Sequence, residues 1–265
     1  MTATTPGWME AGTTMINKTE RKPSPIPFQR LVAIETRKLF DTTTSKVLTL
    51  VLIAMTVGLI IVRGILAGPD LQRLFGITTL AYATVLPVLG ILSVTSEWSH
   101  RTALTTFTLE PRRVRVLLAK CVPPLLTAVV ATLFALLVAL PTTAIVAQVQ
   151  DVPPHWNVDL LPVLGRTATN VLLVAVGLGL GMLLLNAPAA IVIVLSTVMG
   201  WSLVGLMGSF GRTLREWLDL NSTTGPLAQA DLGAVDLARL AVSVAFWIII
   251  PITVGIVRVQ RKEVH

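Results

Sequence analysis

Three histidines, one cysteine and fourteen carboxylates are the groups of this 265-residue chain best suited to chemistry, and their spacing builds no familiar reactive set. His100, His155 and His265 fall in stretches that flank or link apolar runs, so no axial pair is available for a haem inside a membrane, and there is no His-Glu-x-x-His metal motif. No glycine-rich loop ends in Lys-Ser/Thr to cradle a phosphate. Cys121 stands alone, which excludes an internal disulfide and a cysteine-clustered metal site and leaves it a packing role. Ser209, in Gly-Ser-Phe-Gly, has the small neighbours of an intramembrane serine nucleophile, but no histidine lies inside an apolar run to act as its base. Gly177-Leu-Gly-Leu-Gly181 spells a dinucleotide loop yet sits within a long apolar run, where small residues spaced by four favour close helix packing. Catalysis by the chain itself is therefore not expected.

What remains is a charged island, Glu97 to Lys120, reading EWSHRTALTTFTLEPRRVRVLLAK between two long apolar runs. Arg101, Arg112, Arg113, Arg115 and Lys120 stand there against Glu97 and Glu110, and Pro111 splits the island into a short helical half and the approach to the next run. A basic loop of this kind belongs on the cytoplasmic side of a membrane.

The elements that must position this island are membrane-spanning ones. Apolar residues make up 53% of the chain, charged residues 13%, and the mean hydropathy is +0.77, whereas a soluble domain carries roughly 25% charge. The net charge of +7 would suit a nucleic-acid binder if it were spread over a soluble surface. Here the basic residues cluster at the ends of apolar runs, which favours membrane orientation and argues against nucleic acid as a partner.

Residues 1–27 are rich in Thr, Pro, Gly and charge, and read as a disordered cytoplasmic tail. From Phe28 to Phe40 the period turns helical: Phe28, Leu31, Val32 and Leu39 share one side, with Arg30 and Arg37 opposite. This is an amphipathic helix suited to lying on the inner leaflet. Glu35 falls inside its apolar stripe. A carboxylate there needs a basic or hydrogen-bonding partner from another cytoplasmic segment, with Arg101 the favoured candidate, unless the helix rolls and Glu35 reaches water.

Six apolar runs follow, each near the roughly 20 residues a bilayer core requires: Val47–Leu66, Phe75–Thr95, Val114–Ala147, Leu161–Leu185, Pro188–Met207 and Leu237–Val257. The third exceeds one crossing, so it begins or ends in the interface. Fifteen of the 21 Lys and Arg residues lie before the first run, in the island or after the last run, which puts both termini inside. Gly68–Leu74, read as a short turn, and Gln148–Leu160 then lie outside. Asn186-Ala187-Pro188 is a tight inner turn in which Pro188 starts a helix. Gly208–Asp236 is too polar to span and reads as two short interfacial or re-entrant helices, broken at Asn221–Pro226, on the outer surface.

Two stripes mark either a pathway or a helix interface. Phe75, Thr78, Thr79, Tyr82, Leu86, Leu89 and Ser93 align in the second run, and Thr49, Thr56 and Arg63 recur every seven residues in the first. Threonine hydroxyls in spans commonly bond back to their own helix. Arg63, near an outer end, either snorkels to headgroups or meets an anionic substrate.

Glu97, then Arg101-Thr102, then Pro111-x-Arg113 and Lys120 leading into an apolar run resemble the Glu, Gly-Thr, Pro-x-x-Arg and Lys signature of type-2 ABC exporter permeases. Arg101 departs from it, standing where the family often has glycine. Glu35, Arg37 and Lys38 before the first run resemble that family's connecting helix. The likeness extends to span number, orientation, loop lengths and the hairpin before the sixth span. It implies an all-α integral membrane protein: a permease domain over 28–265 with a connecting helix at 28–40, a coupling loop at 97–120 and an outer hairpin at 208–236.

The resemblance further implies a plasma-membrane permease, paired with an identical or related copy, that moves cargo outward by alternating access. A separate cytoplasmic ATPase would energise it, so ATP and Mg would be bound by that partner and no cofactor by this chain. Glu97, His100, Arg101, Ala103, Leu104 and Phe107 would form the coupling surface, with His100, Ala103, Leu104 and Phe107 on one helical face. Arg63, Thr56, Thr78, Thr79 and Tyr82 are the candidate substrate path. Sugar-polymer exporters need aromatic platforms, and one tyrosine with 5% aromatics in all points instead to a lipid-like or amphipathic, drug-like cargo. The alternative is a non-transporting anchor or regulatory subunit of a larger membrane complex, which would share the hydropathy without needing the island.

Overall fold

The computed structural model describes residues 27–99, 112–229 and 231–261, and these form a helical bundle with no strand among them. In chain order the helices are α1 (Phe28–Asp41), α2 (Thr43–Ala67), α3 (Leu71–Gly76), α4 (Thr79–Ser99), α5 (Arg113–Gln150) and α6 (Leu160–Leu184). They continue with α7 (Ala187–Gly205), α8 (Gly208–Leu218), α9 (Leu220–Gln229), α10 (Ala234–Val244), a π-helical turn (Ala245–Ile249) and α11 (Ile250–Arg261). Six segments are long and apolar enough to cross a membrane: Thr43–Ala67, Leu71–Ser96, Val114–Gln150, Leu160–Leu184, Ala187–Gly205 and Ala234–Val259. All six of the runs expected from the sequence fall on them.

The boundaries follow from local chemistry. Thr42 is extended, ends α1 and caps α2, its hydroxyl accepting from Ser45 N at 3.3 Å. Asn186 does the same for α7 through Ala189 N at 3.1 Å, with a proline in the first turn. Gly68–Leu74 is not the simple turn expected. Asp70 accepts from Arg73 N at 3.0 Å and so nucleates α3, whose Leu71, Leu74 and Phe75 are buried. In the last span Pro251 has no N–H for Trp247 O, and the five-residue π turn lies immediately before that gap in the ladder.

The core is α4 against α6. Tyr82, Leu86 and Leu89 meet Val174, Leu178 and Met182, all nearly or fully inaccessible. Glycine sets the approach: a Cβ on Gly177 would sit 2.0 Å from Pro87 O, and one on Gly90 2.6 Å from Val174 O, so the two backbones touch. The glycine run is thus a packing surface, as its place within an apolar run suggests.

Successive spans alternate between two ends of the bundle. One end gathers α1, the start of α5 and the C-terminal helix, where Arg258 donates to Leu183 O. At the other, Leu71 N donates to His155 O at 3.0 Å and His155 N to Pro69 O at 2.9 Å, tying two linkers together. The hairpin α8–α9 starts at this second end but turns inward. Its tip, Asp219–Leu220, packs between Leu173, Val194, Thr197 and Trp247, halfway along their helices. A Cβ on Gly165 would come 1.7 Å from Leu227 O, so α9 lies directly on the start of α6. The expected break at Asn221–Pro226 is displaced to Asp219. Its carboxylate accepts from Asn221 N at 3.1 Å and Ser222 Oγ at 2.7 Å, which caps α9 and carries Asn221–Pro226 into that helix.

Candidate functional site: a clamped helix and an apolar pocket

At the end that carries α1, an ion pair is sealed inside the protein. Glu35 projects from the buried stripe of α1 and is 7% exposed, while Lys120, one turn before a Pro-Pro step in α5, is 2% exposed. Lys120 Nζ lies 2.6 Å from Glu35 Oε2, and half-exposed Lys38 reaches Glu35 Oε1 at 2.9 Å. Glu35 therefore has a basic partner from another segment, and among the described residues it is Lys120. Arg101, the candidate favoured from the sequence, lies outside them. Removing one side of such a buried pair costs on the order of 3–5 kcal/mol, because the other charge is left in apolar surroundings.

The same corner ties in α4. Pro124 has no N–H to offer Lys120 O, and Ser93 Oγ donates to that carbonyl at 2.8 Å in its place. The expected stripe residue Ser93 thus serves as a substitute donor between helices. Three elements meet at Lys120: α1, the span that leads into residues 100–111, and the span that leaves them. Arg37, by contrast, is exposed, and its partner among the described residues is Asp41 on its own helix, at 3.8 Å. His100, Arg101, Ala103, Leu104 and Phe107, and the side chain of Glu97, lie outside the described residues.

Beside this corner, α2 and α5 diverge around a pocket of about 450 Å³, walled chiefly by Leu52, Ile53, Leu126, Val130 and Phe134 and closed at one end by Thr36 and Phe40 of α1. Its floor is Thr56 and Tyr82. Thr56 Oγ1 donates back to Leu52 O at 2.7 Å and lies 3.3 Å from Tyr82 Oη, which donates to Ala131 O at 2.7 Å. The floor is fully satisfied and rigid. Thr49 Oγ1 is different: this pocket residue has a buried hydroxyl with no partner among the described residues.

The expected path residues are thereby separated. Thr56 and Tyr82 come together at the pocket floor, while Thr78 and Thr79 sit about one turn before Tyr82 and bond elsewhere, to Phe75 O at 2.9 Å and Gly76 O at 3.0 Å. Arg63 is half-buried near the far end of α2 and lines neither group. The stripe of α4 is a helix interface within the chain, since Phe75, Thr78, Tyr82, Leu86 and Leu89 are all at most 2% exposed.

Three polar residues escaped the sequence reading. Arg166, the one charged residue in α6, donates to Gly76 O at 3.1 Å and to Thr79 Oγ1, and covers the Phe75 ring at 5.1 Å. Asn170 donates to Thr132 Oγ1 at 2.8 Å, joining α5 to α6. Asp219 is buried at the hairpin tip. A charge or amide isolated in a 25-residue apolar helix is itself the signal that could have found the first two.

Among the described residues no group of three or more His, Cys, Asp or Glu is placed to hold a metal ion. No protein-family model matches the chain, and no curated protein matches it.

Proposed function

We propose that this chain is the membrane permease subunit of an ATP-driven exporter of the type-2 ABC class, working in a pair and energised by a separate cytoplasmic ATPase. The observation that carries this reading is the buried Glu35–Lys120 pair, which fastens the amphipathic helix to the span emerging from the basic island. A membrane anchor has no need to lock these parts together. A machine driven from one end does, because force delivered to residues 97–111 must reach the spans without being lost at a loose joint. The basic flanks make this end cytoplasmic. The hairpin α8–α9 is then re-entrant from the outer face.

On this reading the ATPase docks on the face of His100, Ala103, Leu104 and Phe107. Closure of the ATPase pair moves α1, α4 and α5 as one body and shifts the permease between inward- and outward-open states. The energy comes from the partner's ATP, and the cargo is lipid-like or amphipathic.

The test is purification of the chain with its native assembly, followed by cross-linking from residues 97–111. The expected result is a nucleotide-hydrolysing subunit attached to that loop. Phe107→Asp should then lower cargo-stimulated ATP hydrolysis roughly fivefold or more, the scale of a typical coupling free energy. An intact assembly with no such subunit at the loop would favour the anchor reading.

A further inference from the structure

The geometry points to the pocket between α2 and α5 as a binding site for a single acyl chain of a bilayer phospholipid, drawn from the leaflet at the α1 end. The inference goes beyond the export reading and does not depend on it.

The pocket opens sideways. Ile53, Leu126 and Val130 form its rim at 41%, 55% and 62% exposure, and in a spanning bundle residues exposed at this level face lipid tails. A cavity lined this way does not hold water, which needs several polar partners.

Its length matches one leaflet. The polar start of α2 gives way to apolar sequence at Val47, and nine residues separate Val47 from the Thr56 floor. At 1.5 Å per residue that is about 14 Å, against about 15 Å for half of a 30 Å hydrocarbon core. Amphipathic α1 closes the pocket where headgroups begin, and the satisfied Thr56–Tyr82–Ala131 set closes it near the midplane.

Its closed floor near the midplane suits a chain that ends there, whereas a spanning helix runs on through both leaflets.

The experiment uses the full chain in nanodiscs containing a phosphatidylcholine with a diazirine at mid-chain, photolysed and mapped by mass spectrometry. The expected label concentrates on residues 49–56 and 123–134 over the equally lipid-exposed face of α7. Thr127→Phe and Thr49→Phe, which fill the pocket from opposite walls, should each cut that labelling at least fivefold and leave the α7 background unchanged. Label spread evenly over all lipid-facing helices overturns the proposal, and so does pocket labelling that survives both substitutions. Cross-linking of the Thr127→Cys variant through that position to a second copy of the chain would also overturn it, since another protein would then occupy the slot.

Discussion

Helices α6 and α7 follow one another in the chain and are almost equally apolar, with peak hydropathies of 1.9 and 2.0, yet 61% of the first is buried within the protein and 11% of the second. Hydropathy therefore decides that both can cross a membrane and says nothing about which becomes the axis. Small residues and isolated polar groups decide that. Helix α6 carries Gly177, Gly179 and Gly181 along one length, with Arg166, Thr169 and Asn170 toward its start. Helix α7 instead presents Val192, Leu195, Val198, Met199 and Leu203 outward. In lipid a leucine face gains nothing by leaving the acyl chains, whereas a glycine face gains van der Waals contact with another backbone.

The strongest way to break the comparison is to give α6 a side chain where it has none. Gly177→Val places Cβ against a backbone carbonyl that cannot turn aside, so α4 and α6 must separate. The expected loss is on the order of 3 kcal/mol in reversible unfolding from detergent micelles, with partial misfolding in cells. A stable, native-like G177V protein would show that the helices hold together by other means.

Next in size is the clamp at the α1 end. Lys120→Met leaves Glu35 buried with Lys38 as its basic partner among the described residues, and should cost about 3 kcal/mol, the lower edge of the range for a broken buried pair. Restoring opposite charges by combining Glu35→Lys with Lys120→Glu should recover a large part of the loss. Denaturation with and without the reversal measures the coupling.

Asn170→Leu comes third. It removes the bond to Thr132, whose own hydroxyl still returns to Ala128 O at 2.9 Å. The expected cost is about 0.6 kcal/mol, typical of a hydrogen bond between spans. The smallest effect belongs to α7, where Val198→Ala or Leu203→Ala should change the stability of the isolated chain by no more than about 0.5 kcal/mol. A larger loss would mean that this face is covered by another subunit.

Much of the architecture was legible because bilayers impose a simple rule on length. The six spans follow from the length of the apolar runs, and the packing role of the glycine run from small residues spaced by four within one of them. The two local errors have one cause. Asp70 and Asp219 each cap the helix that follows, so α3 exists where a turn is expected and α9 starts before the predicted break. Proline and asparagine at 221–226 looked like a stop, but a cap just upstream outweighs one missing ladder bond. The site was only half legible. That Glu35 needed a partner followed from its place in an apolar stripe, but which of the basic residues met it depended on how α1 crosses α5, a tertiary fact. Thr56 and Tyr82 were chosen as path residues, but their meeting across α2 and α4 at the floor of one cavity is not written in either stripe.

Helix α5 has 38 residues, so it measures about 57 Å end to end, nearly twice the thickness of a hydrocarbon core. It is long enough to act as a lever with an arm standing clear of the lipid. Its fulcrum is also visible, because Pro123 and Pro124 interrupt the ladder just beyond Lys120 and leave the rod easiest to bend there. Ser93 and Glu35 both hold on within a few residues of that joint, and a small swing of the arm before it would be felt first by the helices they belong to.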